Sequence, residues 1–315
     1  MFEELWPDAS DKPYDESLGE LSDALSNCDS VIIGAGSGLS TAAGYLYAGE
    51  IMDRYFRDFQ EVYHIRDMYS GGFYPFPTRG EYWAWWSRHI WLNRYRPIPN
   101  DLYERLLDLV RGKDYFVLTT NVDHCFQRAG FDKSRLFYTQ GDYGLFQSVS
   151  PGGAARYKTY DNETIVRQML LSQGWEITPD NMLKIPAGGN IRMTIDTSLI
   201  PVCPDDGEDM VPNLRSDDTF VEDAGWHEAA TRYNAFLERH ENRHILYLEL
   251  GVGNNTPVII KFPFWRQTLE NKNAVYACIN KGAAIAPPKI RNRSILIDAD
   301  IYQVVRDLQK NRMRS

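Results

Sequence analysis

The stretch Cys28–Gly44, CDSVIIGAGSGLSTAAG, decides the fold. Val31 to Ile33 reads as a short buried strand, Gly34, Gly36 and Gly38 form a turn, and Ser40 or Thr41 can cap a helix behind it. Strand, glycine turn and helix open a nucleotide-binding α/β unit. The glycines let backbone amides approach a pyrophosphate, and the helix N-terminus adds partial positive charge. The spacing G-x-G-x-G is a weak signal by itself. In a dehydrogenase such a turn leads, within one compact βαβ unit, to an acidic residue at the end of the next strand. Here the chain enters a long region without any strand pattern, which argues against hydride transfer.

Four further runs share a β-branched or aromatic stretch that ends abruptly in polar residues or glycine: YFVLTTN (115–121), RLFYTQG (135–141), HILYLELGVG (244–253) and NAVYACIN (273–280). SILIDAD (294–300) is a sixth strand. In an open parallel sheet, ligands sit beyond the carboxyl ends of the strands, so the tails TTN, TQG, GVGNN and IN face one crevice. TTNVDH is the sharpest of them. Asn121 and Asp123 bring an amide and a carboxylate together around Val122, ahead of a helix from His124 to Arg128 that Gly130 can end. A helix cap accounts for one such residue, not both. His124 reads first as an ordinary helix-start residue pointing away from the crevice, with catalysis as the lesser reading.

Between the first two strands, Tyr82, Trp83, Trp86 and His89 fall at helical spacing and predict a packed aromatic helix. The preceding YSGGFYPFPT (69–78) cannot be regular helix and reads as a loop of the kind that closes over a substrate. From Gln147 to Glu241 the chain is rich in Gly, Pro and Asp, as in SVSPGGAARY and PVCPDDGEDMVPNLRSDD, which suggests an inserted module. The expected organisation is a Rossmann-like domain from 1–45, 101–146 and 242–315. A helical insertion, 46–100, and a module, 147–241, form a smaller second domain.

The 315 residues are 43% hydrophobic and 24% charged, enough for a sizeable core. No run approaches the roughly 18 apolar residues of a membrane helix. The opening MFEELWPDAS lacks the basic region, apolar stretch and cleavage site of a secretory signal, so a cytoplasmic location is expected. A net charge of -9 disfavours nucleic acid and anionic membranes as partners. Cys28, Cys125, Cys203 and Cys278 lie far apart and read as reduced, buried thiols.

Through GAGSGLSTAAG (34–44), DMYSGGFYPF (67–76), WSRHI (86–90), TTNVDHCFQRAGFDKSRLFYTQGDYGLFQ (119–147) and LELGVGNNTPVIIKFPFW (248–265), the chain resembles the sirtuins over most of its length. Within them it is most similar to class M, the macrodomain-linked, ADP-ribosylating members. The resemblance implies an α/β fold, a Rossmann-like parallel-sheet NAD-binding domain with a second, smaller domain formed by insertions. It also implies transfer of ADP-ribose from NAD to a protein. Carried over, it puts Gly34, Ala35 and Gly36 at the pyrophosphate, Asn121 and Asp123 at the nicotinamide ribose and carboxamide, and Gly251, Asn254 and Asn280 on the adenosine side. Leu39, Thr41, Tyr45, Thr120, Gly253 and Asp300 complete the expected NAD lining. Gln140 stands where deacylase sirtuins have histidine.

Glutamine has no usable pKa near neutrality and cannot deprotonate a ribose hydroxyl after an acyl oxygen has attacked C1′, so deacylation is expected to be lost. Breaking the nicotinamide bond passes through an oxocarbenium-like state, which needs positioning and electrostatic support more than a base. Gln140 can orient a hydroxyl by hydrogen bonds. Asn121, Asp123 and Gln140 are the expected catalytic set.

Sirtuins hold a structural zinc with four cysteines. Here the corresponding stretches, QSVSPGG and CPDDG, offer Ser148, Gly152, Cys203 and Asp206, so no zinc is expected. The resemblance further implies a protein acceptor, a lipoylated relative of the glycine-cleavage H carrier protein, and a macrodomain hydrolase as functional partner. An NAD glycohydrolase, a non-catalytic NAD or ADP-ribose sensor and a residual deacylase are the alternatives.

Overall fold

The computed structural model describes residues 12–253 and 257–312. Its strands are β1 (Ser30–Ala35), β2 (Asp114–Thr119), β3 (Leu136–Tyr138), β4 (Gly141–Ser148), β5 (Tyr160–Asp161), β6 (Glu176–Ile177), β7 (Leu183–Lys184), β8 (Met210–Leu214), β9 (Ile245–Leu250), β10 (Val275–Ile279) and β11 (Ser294–Ile297). Its α-helices are α1 (Tyr14–Asn27), α2 (Ser37–Ala42), α3 (Glu50–Tyr55), α4 (Arg57–Tyr63), α5 (Met68–Gly72), α6 (Arg79–Ile90), α7 (Leu102–Val110), α8 (Cys125–Arg128), α9 (Glu163–Gln173), α10 (Ala224–Arg239), α11 (Lys261–Glu270) and α12 (Ile301–Arg312).

All six runs expected to be strands join one parallel sheet, in the order β11-β10-β9-β1-β2-β3. Successive strand residues point to opposite faces, and here both faces are covered. Val31, Ile33, Val117, Leu248 and Ile279 pack into a core with α1, α7 and α12. Their neighbours Ile32, Phe116, Leu118, Tyr247 and Cys278 pack into another with α10 and α11. The strand order runs outward in both directions from the β1–β9 pair. The topological switch, where open α/β sheets bind ligands, therefore lies at the carboxyl ends of β1 and β9.

A separate aromatic core sits beside this sheet. Trp83, Trp85 and Trp91 are fully buried there with Phe56, Phe59, Met169 and Phe146. Arg88 lies at its centre, 1% exposed, bound to both oxygens of Asp58 and to Gln173 Oε1. The expected aromatic helix is α6, with Trp83, Trp86 and His89 on it buried.

The structure differs from the sequence expectation in several places; Ser40 and Thr41, for one, lie inside α2, which starts after Gly36 without a side-chain cap. Tyr69–Gly72 of the supposed loop are helical, because Asp67 caps α5 by accepting the Ser70 N–H at 2.7 Å; the irregular segment begins at Phe73. β4 starts at Gly141, inside the range 101–146, yet it pairs with β5 and β8 and not with the large sheet. α10 falls within 147–241 but packs on the large sheet, with Ala229, Tyr233 and Phe236 against Phe116 and Phe137. The Gly- and Asp-rich segments around α10 hid its apolar face, and the short β4 pattern merges with the tail of β3.

Candidate active site

At the switch, four strand tails are stitched to one another. Beyond β2, Asn121 Nδ2 donates to the Gly36 carbonyl at 2.9 Å and its N–H to Thr119 Oγ1 at 3.0 Å. The half-buried Thr120 donates its N–H to the carbonyl of Ala35, the last residue of β1, at 3.1 Å. From β9, the Leu250 carbonyl accepts the Gly36 N–H at 3.0 Å and the Gly251 carbonyl accepts the Gly38 N–H at 2.9 Å. Asn280, beyond β10, donates through Nδ2 to the Val252 carbonyl at 3.0 Å.

Only glycine permits this approach. A Cβ on Gly36 would stand 2.7 Å from the Gly251 oxygen, and one on Gly38 would stand 2.7 Å from Gly251 Cα. Gly251 itself has φ +60°. The glycine turn thus behaves differently from the expectation. The N–H groups of Gly36 and Gly38 are spent on the β9 tail, while Gly34 lies inside β1, where a Cβ would meet Ile260 and Phe264 at 2.4 Å. The helix behind the turn, α2, has six residues and sums few peptide dipoles.

Asp123 is 2% exposed. Its Oδ2 accepts from Ser40 Oγ at 2.5 Å and its Oδ1 from the Cys125 N–H at 2.9 Å, so it caps α8 and ties it to α2. Burial raises its carboxyl above the ordinary value, against the lowering effect of those two donors. Gln140 is half-buried, and its Nε2 donates to the carbonyl and hydroxyl of the adjacent Thr139 at 3.2 and 3.3 Å. Those long local bonds leave its amide available to a ligand. Its own carbonyl accepts the Arg215 N–H at 3.0 Å, which fastens the tail of β3 to the segment after β8.

The remaining expected residues are scattered. Leu39 and Tyr45 are wholly buried in the core, with the Tyr45 hydroxyl 3.4 Å from both Cys125 Sγ and Arg128. Thr41 is exposed and donates to the Ser37 carbonyl at 3.1 Å. Gly253 is exposed, and Asp300 caps α12 by accepting the Gln303 N–H at 3.0 Å. Asn254 lies outside the described residues. A hollow lined by Asp29, Arg243, His244 and Lys272 opens at the opposite, amino-terminal edge of the sheet, away from all these tails.

Several polar groups escaped the sequence reading. Asp142, 4% exposed, accepts from Arg94 Nε and from the Gly144 N–H, both at 2.7 Å, and is hydrogen-bonded to His124 Nδ1. Burial pushes its carboxyl up, but the His124 bond and the Arg94 charge outweigh this and hold it below the usual range. His124 takes φ +63°, rare for a residue with a side chain. The Tyr143 hydroxyl lies 3.0 Å from His89 Nε2, and burial pushes the His89 imidazole down to about 3, so that it is neutral. The Gly-Asp pair after Gln140 was the one visible signal.

The four positions compared with zinc ligands do converge. Asp206 accepts the Gly152 N–H at 3.4 Å, and hydrogen bonds from Cys203 and Ser148 help hold its carboxyl down at about 2. One thiol, one carboxylate, one hydroxyl and a glycine fall short of the four ligands of a structural zinc. Among the described residues, no group of three or more His, Cys, Asp or Glu side chains is placed to hold a metal.

No family model matches the chain. It is 36% identical over 289 residues to the protein ADP-ribosyltransferase of Staphylococcus aureus strain Mu50, covering 91% of this chain and 85% of that one. It is 29% identical over 259 residues to a probable bifunctional ADP-ribose hydrolase/ADP-ribosyltransferase of Fusarium oxysporum f. sp. cubense, covering 78% of this chain and 39% of that one. A solved Sir2 structure with p53 peptide and NAD+ superimposes with a TM-score of 0.54 at 17% identity, covering 95% of this chain and 99% of that one. Sir2Tm bound to a propionylated peptide matches with the same TM-score and coverage at 18% identity. The doubly covered parallel sheet is therefore a sirtuin fold with a Rossmann-like core. The chain belongs to the protein ADP-ribosyltransferase family, and the activity of that family requires NAD as ADP-ribosyl donor.

Proposed function

We propose that this chain is a class M sirtuin that moves a single ADP-ribosyl group from NAD to a protein acceptor in the cytoplasm and releases nicotinamide. The observation that carries the reading is Gln140 at the tail of β3: an amide whose side-chain bonds are local, standing where a deacylase sirtuin has its histidine base. The residues fit NAD as substrate. Asn121, fixed through Nδ2, offers its side-chain oxygen to the nicotinamide carboxamide or ribose. Gln140 orients a ribose hydroxyl, and Asp123 supplies negative charge near C1′ as the bond to nicotinamide weakens. Asn280 and the Gly251–Gly253 turn take the adenosine side.

The acceptor in this reading is a lipoylated carrier protein related to the glycine-cleavage H protein. The Fusarium relative combines an ADP-ribose hydrolase with a transferase, which supports a macrodomain hydrolase as the partner that removes the modification. Structural zinc has no part; the hydrogen-bonded knot of Ser148, Cys203 and Asp206 holds the small module in its place.

Incubating the enzyme with NAD radiolabelled in the ADP-ribose and a lysate containing lipoylated proteins tests this. A discrete labelled band, absent with Asn121→Ala, is expected. Nicotinamide release without labelled protein points to a glycohydrolase, and NAD binding without release to a sensor; either result contradicts the transferase.

A further inference from the structure

His124 and Asp142 form a hydrogen-bonded pair that links the tail of β2 to the start of β4. Asp142 is nearly inaccessible and oriented from two other sides, by Arg94 Nε and the Gly144 N–H at 2.7 Å each. A carboxylate bound to Nδ1 fixes the imidazole in the tautomer that leaves Nε2 as its proton-accepting atom. The His124 side chain is 24% exposed, so that nitrogen is not sealed in the core. The Val122 carbonyl accepts the Tyr143 N–H at 2.9 Å, which locks the same two tails together on either side of the pair. His124 holds φ +63°, a conformation that glycine or asparagine adopts at less cost. Backbone strain of this kind persists where the surroundings impose it, and it clusters at sites of function. In sequence, His124 follows Asn121 and Asp123 while Asp142 follows Gln140, so the pair joins the two tails that carry the expected catalytic groups.

We propose that His124, oriented by Asp142, is the general base that Gln140 cannot be, and that it takes the proton from the acceptor. The C1′–N bond breaks with its electron pair leaving on nicotinamide. A lone pair of the acceptor forms the new bond to C1′, and the acceptor's proton passes to His124 Nε2 and then to water. A carboxylate acceptor needs no such step. The acceptor is therefore a nucleophile that carries its proton at neutral pH, such as a hydroxyl. Asp142 and Arg94 are positioning residues. This inference rests on the transferase reading above.

The groups that face the pair are Arg94, Asp123, Tyr138, Tyr143 and, on α8, Arg128. None of these carries a ring nitrogen free to accept a proton.

The test measures transfer of labelled ADP-ribose against pH for wild type, His124→Asn and His124→Gly. Asparagine tolerates the left-handed backbone and can still donate to Asp142, but it is no base. Its expected behaviour is a loss of roughly 100-fold in transfer rate, with NAD binding unchanged and the acid limb of the pH profile gone. His124→Gly is expected to recover rate on addition of free imidazole. A His124→Asn enzyme with wild-type rate and pH profile, or a His124→Gly enzyme indifferent to imidazole, overturns the proposal and leaves the pair a loop tie. A wild type that labels no protein overturns the transferase reading together with this one, so the two failures are distinguishable.

Discussion

At the scale of single residues, the site is built from side chains that hold the backbone with one end and offer the other to a ligand. Asn121 shows this best: its Nδ2 is held by the Gly36 carbonyl, and in the proposed reading its oxygen meets NAD. Asn121→Ala is expected to lower nicotinamide release by about 10²–10³-fold, the usual cost of one oriented polar group at a charge-developing centre. Steady-state release by a variant with unchanged thermal unfolding checks it. His89 makes a prediction about acid. Its folded value of about 3 lies below the unfolded value near 6.5, so below that pH the unfolded chain binds a proton the folded one does not. Stability is then complete above about pH 6.5 and falls as the pH drops towards 3. Relative to His89→Gln, the wild type is expected to lose about 2 kcal/mol between pH 7 and pH 5, measured by denaturant unfolding at both.

At the scale of elements, the contact between the β1 and β9 tails is the feature on which the crevice depends. Gly251→Ala would force both a left-handed alanine and a Cβ 2.6 Å from the backbone of Gly38. A loss of about 1–3 kcal/mol is expected, along with weaker NAD binding. A Cβ on Gly253 meets nothing within 4 Å among the described residues, so Gly253→Ala should leave unfolding unchanged, which makes the pair a controlled comparison in thermal melts. Glu249 on β9 and Lys261 on α11 form a wholly buried ion pair, with the Tyr276 hydroxyl donating to Glu249 at 2.7 Å. The pair ties the strand to the helix on either side of the loop that follows β9. Lys261→Met leaves the carboxylate buried and unpaired, and a loss of about 3–5 kcal/mol is expected in denaturant titrations.

At the scale of the whole molecule, a covered parallel sheet carries the strand tails, and an aromatic core with Arg88 at its centre stands beside it. The six sheet strands were legible in the sequence because a strand buried on both faces is a short unbroken apolar run, and each run ended at the edge where the site lies. Asn121, Asp123, Gln140 and Asn280 could be picked out as candidates for the same reason, being polar residues within a few positions of the ends of those runs. Ser40 beneath Asp123, and Asp142 beside His124, were not. Their roles exist only once separate segments meet, and nothing local distinguishes a capping serine or a turn aspartate from one that holds a catalytic group. The glycines were legible as a tight turn but not as a loop-to-loop contact, since the partner backbone is more than 200 residues away.

In the proposed function, this fold transfers ADP-ribose to protein and has given up deacylation with the loss of the base. The most direct measurement places purified enzyme and labelled NAD with a lipoylated carrier protein in one reaction and an acetylated peptide in another. The expected result is label on the carrier, nicotinamide released in step with it, and a peptide that keeps its acetyl group. A deacetylated peptide beside an unlabelled carrier would contradict it.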